Sequence, residues 1–318
     1  MKKIARILAA LVLCASAALA HADYPDHALR LIVPYPPGGN IDATARIVAN
    51  GLGAVLGQSV IVDNRAGASG MVGAEAVANS APDGYTLLLA SSGALAPLKA
   101  FNPALRLDFE RDFTPAGSIA RTPMLLVLRR DLPATTLAEF IAYAKARPGK
   151  LTMASAGTGG NAHLTGELFQ LRSGTKFLHV PYKGASQSLA DLLGGQVDLT
   201  FAPPVGILEQ VSAGKLRVLG VTSAKRFGAA PELPTLAESG LPGFDASTTT
   251  GLMFAAHTPA AIVAKVNAAL RQVLRQPDTH NRFETLGSDV VEGSGEDFAQ
   301  TVRNEVSQWT RVVHDADL

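Results

Sequence analysis

The feature that most constrains this chain is an alternation. Short runs rich in Leu, Ile and Val are followed repeatedly by stretches whose apolar residues return every three or four positions. The first pattern suits a strand and the second one face of a helix. A chain that keeps switching between them buries both as βαβ units around parallel sheet. Leu29–Val33 predicts the first strand, and Ile41, Ala45, Val48, Leu52 and Val55 form one helical face after it. Strands are expected at 59–63 and 85–90, with a small-residue helix at 68–79 between them. The pattern resumes with a strand at 124–129 and a helix capped by Thr136, then a strand at 151–155 and a helix facing inward with Leu164, Leu168 and Leu171. Strands follow at 177–180, 197–201 and 216–222, with a helix carrying Leu189, Leu192 and Leu193 among them. The last third has one strand, 252–255, and two helices. One opens with Thr258 as cap and Pro259 at its first position. The other opens with Ser294 and Asp297 as a capping box and presents Phe298, Val302, Val306, Trp309 and Val313.

Those C-terminal helices have no strands of their own to cover. Packing them back on the first sheet makes 123–225 an inserted second lobe and 23–122 with 226–318 a discontinuous first lobe. At 318 residues the chain can support two cores. Two crossings between lobes leave a cleft, the usual place for a small ligand.

Met1 is followed by Lys2, Lys3 and Arg6, an uncharged apolar run at 7–19, and small residues at Ala18, Ala20 and Ala22. This is the layout of a secretory signal peptide, 1–22, cut after Ala22, and the run is short for a bilayer span. It directs the mature chain to the periplasm. The sole cysteine, Cys14, lies in that leader behind Leu13, where a lipoprotein signal needs a small residue. The mature chain is therefore expected to hold no disulfide, no thiol nucleophile and no thiolate metal site. Loss of the three leader cations turns a formal charge of +1 into −2, which argues against nucleic acid or an anionic membrane surface as partner.

Two loops concentrate the chemistry. Pro36, Pro37, Gly38, Gly39, Asn40, Ile41 and Asp42 follow the first strand; Gly157, Thr158, Gly159, Gly160, Asn161, Ala162 and His163 follow the strand at 151–155. Each opens a helix. Glycine exposes backbone N–H groups, and the helix start adds unpaired donors and partial positive charge, a setting that suits a carboxylate or phosphate without any arginine. Catalytic alternatives fail by motif. The chain has no G-x-S-x-G, H-E-x-x-H, Walker loop or G-x-G-x-x-G after a strand, and its two S-x-x-K matches, at Ser173 and Ser212, lack companion elements. Its histidines have no metal spacing. The chain is read as a binder, not an enzyme, with no cofactor and no metal.

Several motifs then resemble one family. They are Tyr24-Pro25, the run from Leu31 through Tyr35 to Gly39 with Asp42, Val62-Asp63-Asn64-Arg65-Ala66-Gly67-Ala68 with Gly70 and Gly73, Pro82-Asp83-Gly84-Tyr85, His163-Leu164 with Gly166-Glu167, and His179-Val180-Pro181-Tyr182-Lys183-Gly184. Together they are similar to the Bug family, periplasmic solute receptors of tripartite tricarboxylate transporters. The resemblance implies an α/β, two-lobed periplasmic-binding-protein (Venus flytrap) fold. It also implies a carboxylate held between the two Gly-rich loops, partly through ordered water, and delivery to membrane subunits. A receptor presenting its liganded form to a membrane sensor kinase is the alternative that shares the same site. The site expected on this basis takes Tyr35, Pro37, Gly38, Gly39, Asn40 and Asp42 from the first loop and Gly157, Thr158, Gly160, Asn161 and His163 from the second. Ser91 and Ser92 match a further lining position. Ala202 with Pro203 stands where many relatives carry Asp, which disfavours ligands with an ammonium group. Asp42 is placed either to touch ligand or to order its loop, and His163 either to donate to ligand or to bond local backbone. Tyr182 and Lys183 either line the cleft or hold the hinge.

Overall fold

The protein is described here from a computed structural model covering residues 24–101 and 105–318; the expected leader lies outside these residues. The apolar runs become two sheets. The first holds β1 (Leu29–Val33), β2 (Val60–Asn64), β3 (Thr86–Ser91), β4 (Phe113–Pro123), β10 (Ser247–Ala255) and β11 (Asp289–Val290); the second holds β5 (Leu125–Arg129), β6 (Leu151–Ser155), β7 (Phe177–Pro181), β8 (Leu199–Ala202) and β9 (Leu216–Val221). The helices are α1 (Asn40–Leu56), α2 (Met71–Ala78), α3 (Ser92–Phe101), α4 (Leu137–Lys145), α5 (Asn161–Ser173), α6 (Ala185–Leu193), α7 (Ile207–Ser212), α8 (Ala260–Leu274), α9 (Pro277–Thr285) and α10 (Gly295–Asp315).

The spatial order is β11-β4-β10-β3-β1-β2 in one sheet and β7-β6-β8-β5-β9 in the other. Strand pairs β1–β2, β1–β3, β6–β7 and β6–β8 are parallel, as the alternation demands. The sheets are nevertheless mixed. β10 runs antiparallel to β3 and β4, and β5 antiparallel to β8 and β9. These reversals sit where the chain crosses between sheets, so each sheet reads as two βαβ units extended by the crossing strands.

Packing follows the residue periods. Along β5, Leu125 and Val127 enter one core, and Leu126 and Leu128 the other. On the first sheet, Leu29, Leu31 and Val33 meet Ala45, Val48 and Leu52 of α1 and Val266, Leu270 and Val273 of α8. α1 and α8 approach so closely that a Cβ at Gly51 would lie 2.3 Å from Val273 Cγ1. Ile32, Leu88 and Met253 face the other way, onto α2 and onto Phe298 and Val302 of α10.

α10 does more than cover the first sheet. Both members of its expected capping box form. Its first half enters the first core through Phe298 and Val302, and its second half puts Trp309 and Val312 among Phe140, Phe169, Phe201 and Phe244 of the second. The segment 226–246 also packs on the second core, through Phe227, Leu236, Leu241 and Phe244. The chain rejoins the first sheet at Ser247, later than the expected return at Arg226. The crossings are zipped side by side. Met124 N–H donates to Thr222 Oγ1 (2.9 Å), Thr222 N–H to Met124 O (2.9 Å) and Ala246 N–H to Thr222 O (2.9 Å).

Candidate functional site

Both Gly-rich loops leave the carboxyl end of a parallel strand and open a helix whose cap has no side chain. Gly39 caps α1 and Gly160 caps α5, each with extended backbone and no side-chain cap bond. The first-turn amides of both helices are thus left for an acceptor from outside the helix. The left-handed positions are Gly38 (φ +89°), Gly157 (φ +130°) and Gly159 (φ +75°). Glycine is required at those three and not at Gly39 or Gly160, whose φ values of −84° and −73° suit any residue.

The first loop is ordered from beneath by Asp42. Its carboxylate accepts from Gly38 N–H (3.0 Å), Asn64 Nδ2 (2.9 Å) and, as a fork, Arg46 Nε and Nη2 (2.9 and 3.1 Å). The Arg46 bonds, aided by Gly38 and Asn64, hold it down at a pKa of about 2 against the opposing effect of burial. Of the two roles open to Asp42, this network is the ordering one. Asn40 Nδ2 donates to Leu286 O (2.7 Å). The next residue, Gly287, is so close to the second lobe that a Cβ there would lie 3.1 Å from Pro204 Cβ.

The second loop rests on a histidine pair. Gly159 N–H donates to His163 Nδ1 (3.1 Å), and the His163 ring stacks on His179 at 3.9 Å between centroids. His179 Nε2 lies 2.7 Å from Ser155 Oγ, which bonds both the carbonyl and the amide of Gly157. Burial, with the neighbouring His179, lowers the His163 pKa to about 4, and burial lowers that of His179. A neutral His163 accepting at Nδ1 carries its proton on Nε2, which faces Glu167 at 3.5 Å. His163 is bonded to local backbone and is 3% exposed, so it shapes the loop from behind. Tyr182 donates to Asp191 (2.6 Å) inside the second lobe.

Between the sheets lies a cleft of 570 Å³. One wall is the second loop, including Gly157, Thr158, Gly160 and Asn161; the other comes from the first lobe, with Tyr35, Ser69, and the Gly93, Pro97, Leu98 and Phe101 side of α3. Among its lining residues Tyr35 alone is ionisable. Tyr35 Oη is buried with no protein partner, and burial raises its pKa to about 12. Asn161 Nδ2 reaches across to Thr248 Oγ1 (2.6 Å), and its buried Oδ1 has no protein partner.

The expected residues therefore divide. Tyr35, Gly157, Thr158, Gly160 and Asn161 meet around the cleft. Pro37, Gly38 and Gly39 form an exposed loop beside Tyr35, and Pro203 is exposed next to the half-buried Ala202, off the lining. Ser91 is buried within the sheet. Ser92 is also buried: its Oγ accepts from Thr249 N–H (2.9 Å), and it adjoins Glu305, whose carboxyl burial raises to a pKa of about 8. The α3 wall was absent from the sequence reading. Gly93, Pro97 and Phe101 recur every fourth residue, a helical signal that Pro97 obscures by reading as a helix breaker.

Residues 44–318 match the tripartite tricarboxylate transporter family receptor model. Protein BugT of Bordetella pertussis is 37% identical over 293 residues, covering 92% of this chain and 90% of BugT. A Rhodopseudomonas palustris protein solved with adipate superposes with a TM-score of 0.80 at 34% identity, covering 93% of this chain and 99% of that one. MatC from Rhodopseudomonas palustris, solved with bound malate, gives 0.75 at 33% identity, covering 91% and 100%.

Proposed function

The chain belongs to the Bug family of tripartite tricarboxylate transporter receptors, and from that premise we propose that it captures a small carboxylate between its lobes in the periplasm and delivers it to the membrane subunits of such a transporter. The observation that carries the reading is the second loop. Two left-handed glycines and a cap without a side chain turn the start of α5 into the wall of an interlobe cleft whose described lining residues include no cationic side chain, so the backbone amides are left to meet an anion. Neighbours of the same fold solved with adipate and malate, both carboxylates, support it. No helix among the described residues is long and apolar enough to cross a membrane. We take the first lobe as 24–123 with 247–318 and the second as 124–246, following the packing.

The test is a thermal-shift screen of carboxylates, each paired with its amide or methyl ester. A ligand at about a hundred times its Kd stabilises the fold by about 2.7 kcal/mol, a shift of several degrees. Stabilisation by acids and not by neutral analogues is the expected result. Stabilisation by sugars or cations with no response to any carboxylate refutes the proposal.

A further inference from the structure

The two walls of the cleft differ in kind. The second loop supplies donors. The facing side of α3 supplies Pro97, Leu98 and Phe101, with Gly93 at the same face. Phe101 is 39% exposed, a large apolar ring left uncovered at the cleft. The ring also lies hard against the donor loop: a Cβ at Gly159 would sit 3.0 Å from Phe101 Cε2. A carboxylate on the α5 amides would therefore project its body onto the Phe101 ring.

The same lining disfavours polar bodies. A hydroxyl pushed against Pro97, Leu98 and Phe101 loses water and finds no partner there. The polar side chains of the lining are Tyr35, Ser69, Thr158 and Asn161, and none of them stands on α3. A third carboxylate would meet no cation among the described lining residues of the cleft, and a volume of 570 Å³ lies within the range of pockets that bury small ligands.

Resting on the carboxylate-receptor reading above, we infer that the ligand is a carboxylate with an aryl or unsubstituted alkyl body, and that Phe101 is the residue that selects it over polyhydroxylated and tricarboxylic acids. Selectivity then comes from desolvation against α3, and affinity for the anion from the second loop.

Isothermal titration with matched pairs tests this: adipate against galactarate, its tetrahydroxy analogue, benzoate against shikimate, and citrate as the tricarboxylate. The apolar member of at least one pair should bind at least thirtyfold more tightly than its hydroxylated partner and than citrate, with the more negative heat-capacity change that apolar burial produces. Phe101→Ser, on a partly exposed position and checked for an unchanged melting temperature, should weaken the apolar acid at least tenfold and collapse the ratio within the pair. Galactarate, shikimate or citrate binding as tightly as the apolar acids overturns the inference and leaves the carboxylate reading standing. So does a Phe101→Ser variant with wild-type ratios. Binding of no carboxylate at all brings down the receptor reading itself.

Discussion

Tyr35→Phe separates a ligand-binding hydroxyl from a structural one, because the two roles move stability and affinity in opposite directions. The Tyr35 hydroxyl is buried and has no protein partner, and Tyr35 lines the cleft. Burying a hydroxyl without a partner costs about 1–3 kcal/mol, so deleting it should stabilise the ligand-free protein. At about 2–4 °C per kcal/mol, even the lower figure raises the melting temperature by a few degrees. With ligand the sign reverses. A hydrogen bond to a carboxylate contributes about 1.5–3 kcal/mol, and its loss weakens binding by about 10- to 150-fold. Differential scanning calorimetry of the free protein and calorimetric titration of the best carboxylate from the screen give the two numbers. A lower melting temperature would mean the hydroxyl has a structural partner, and an unchanged Kd would remove Tyr35 from the site; either result refutes the reasoning.

Three further outcomes follow from buried groups. His163 has a folded pKa of about 4 against an ordinary 6.5, so in that window the unfolded chain binds the proton and the folded one does not; stability should fall as pH drops from 6.5 towards 4, with loss of ligand as Nδ1 protonates and releases Gly159. His163→Ala should flatten that slope in a series of melting curves. Glu305 is shifted the other way, to about 8, where it faces Ser92, Arg121 and Asp245, so stability should fall as pH rises from about 4.5 to 8; Glu305→Gln should remove this dependence and melt higher than wild type at pH 8. Gly251→Ala should destabilise by about 1–3 kcal/mol by denaturant titration, because its Cβ would lie 2.5 Å from Phe298 Cε1 and 2.7 Å from Gly117 O in a packed core.

What was legible in the sequence was what local period decides. The stripe from Ile41 to Val55 made α1, and Ser294 with Asp297 started α10. Errors arose where tertiary contacts overrode period. The leucines of α5 predicted an inward Leu171, yet Leu171 is 43% exposed and Phe169 is fully buried. Gly166 explains the rotation: the helix presses its glycine on the sheet so closely that a Cβ would lie 2.1 Å from Met153 Sδ. β4 escaped notice because its eleven residues mix Pro115, Gly117, Arg121 and two threonines, and it is a strand through pairing with β10. The start of α8 moved by one residue, with Pro259 at the cap and Thr258 bonded to Ala255 O. In the site, both loops were visible as glycine clusters. Which glycines are left-handed was not, because neighbouring glycines look alike in sequence and differ only in backbone angle.

The last helix has a kinematic consequence. A receptor joined only by two parallel crossings could swing and twist freely about them. Here a rod of 21 residues, about 32 Å at 1.5 Å per residue, is rooted in one core by Phe298 and in the other by Trp309. A small rocking about the zipped crossings leaves both roots in place. A wide yawn must draw the indole from its socket, at a cost comparable to truncating it, about 3–5 kcal/mol, so such states would hold well under one molecule in a hundred. The strut thus caps the angle through which the jaws open, and small-angle scattering of Trp309→Ala should show a broader spread of interlobe distances than wild type. It also seats the sole tryptophan of the chain in that socket, where a red shift of its emission should report the wide opening that draws the indole out, and small rocking should leave the emission unchanged.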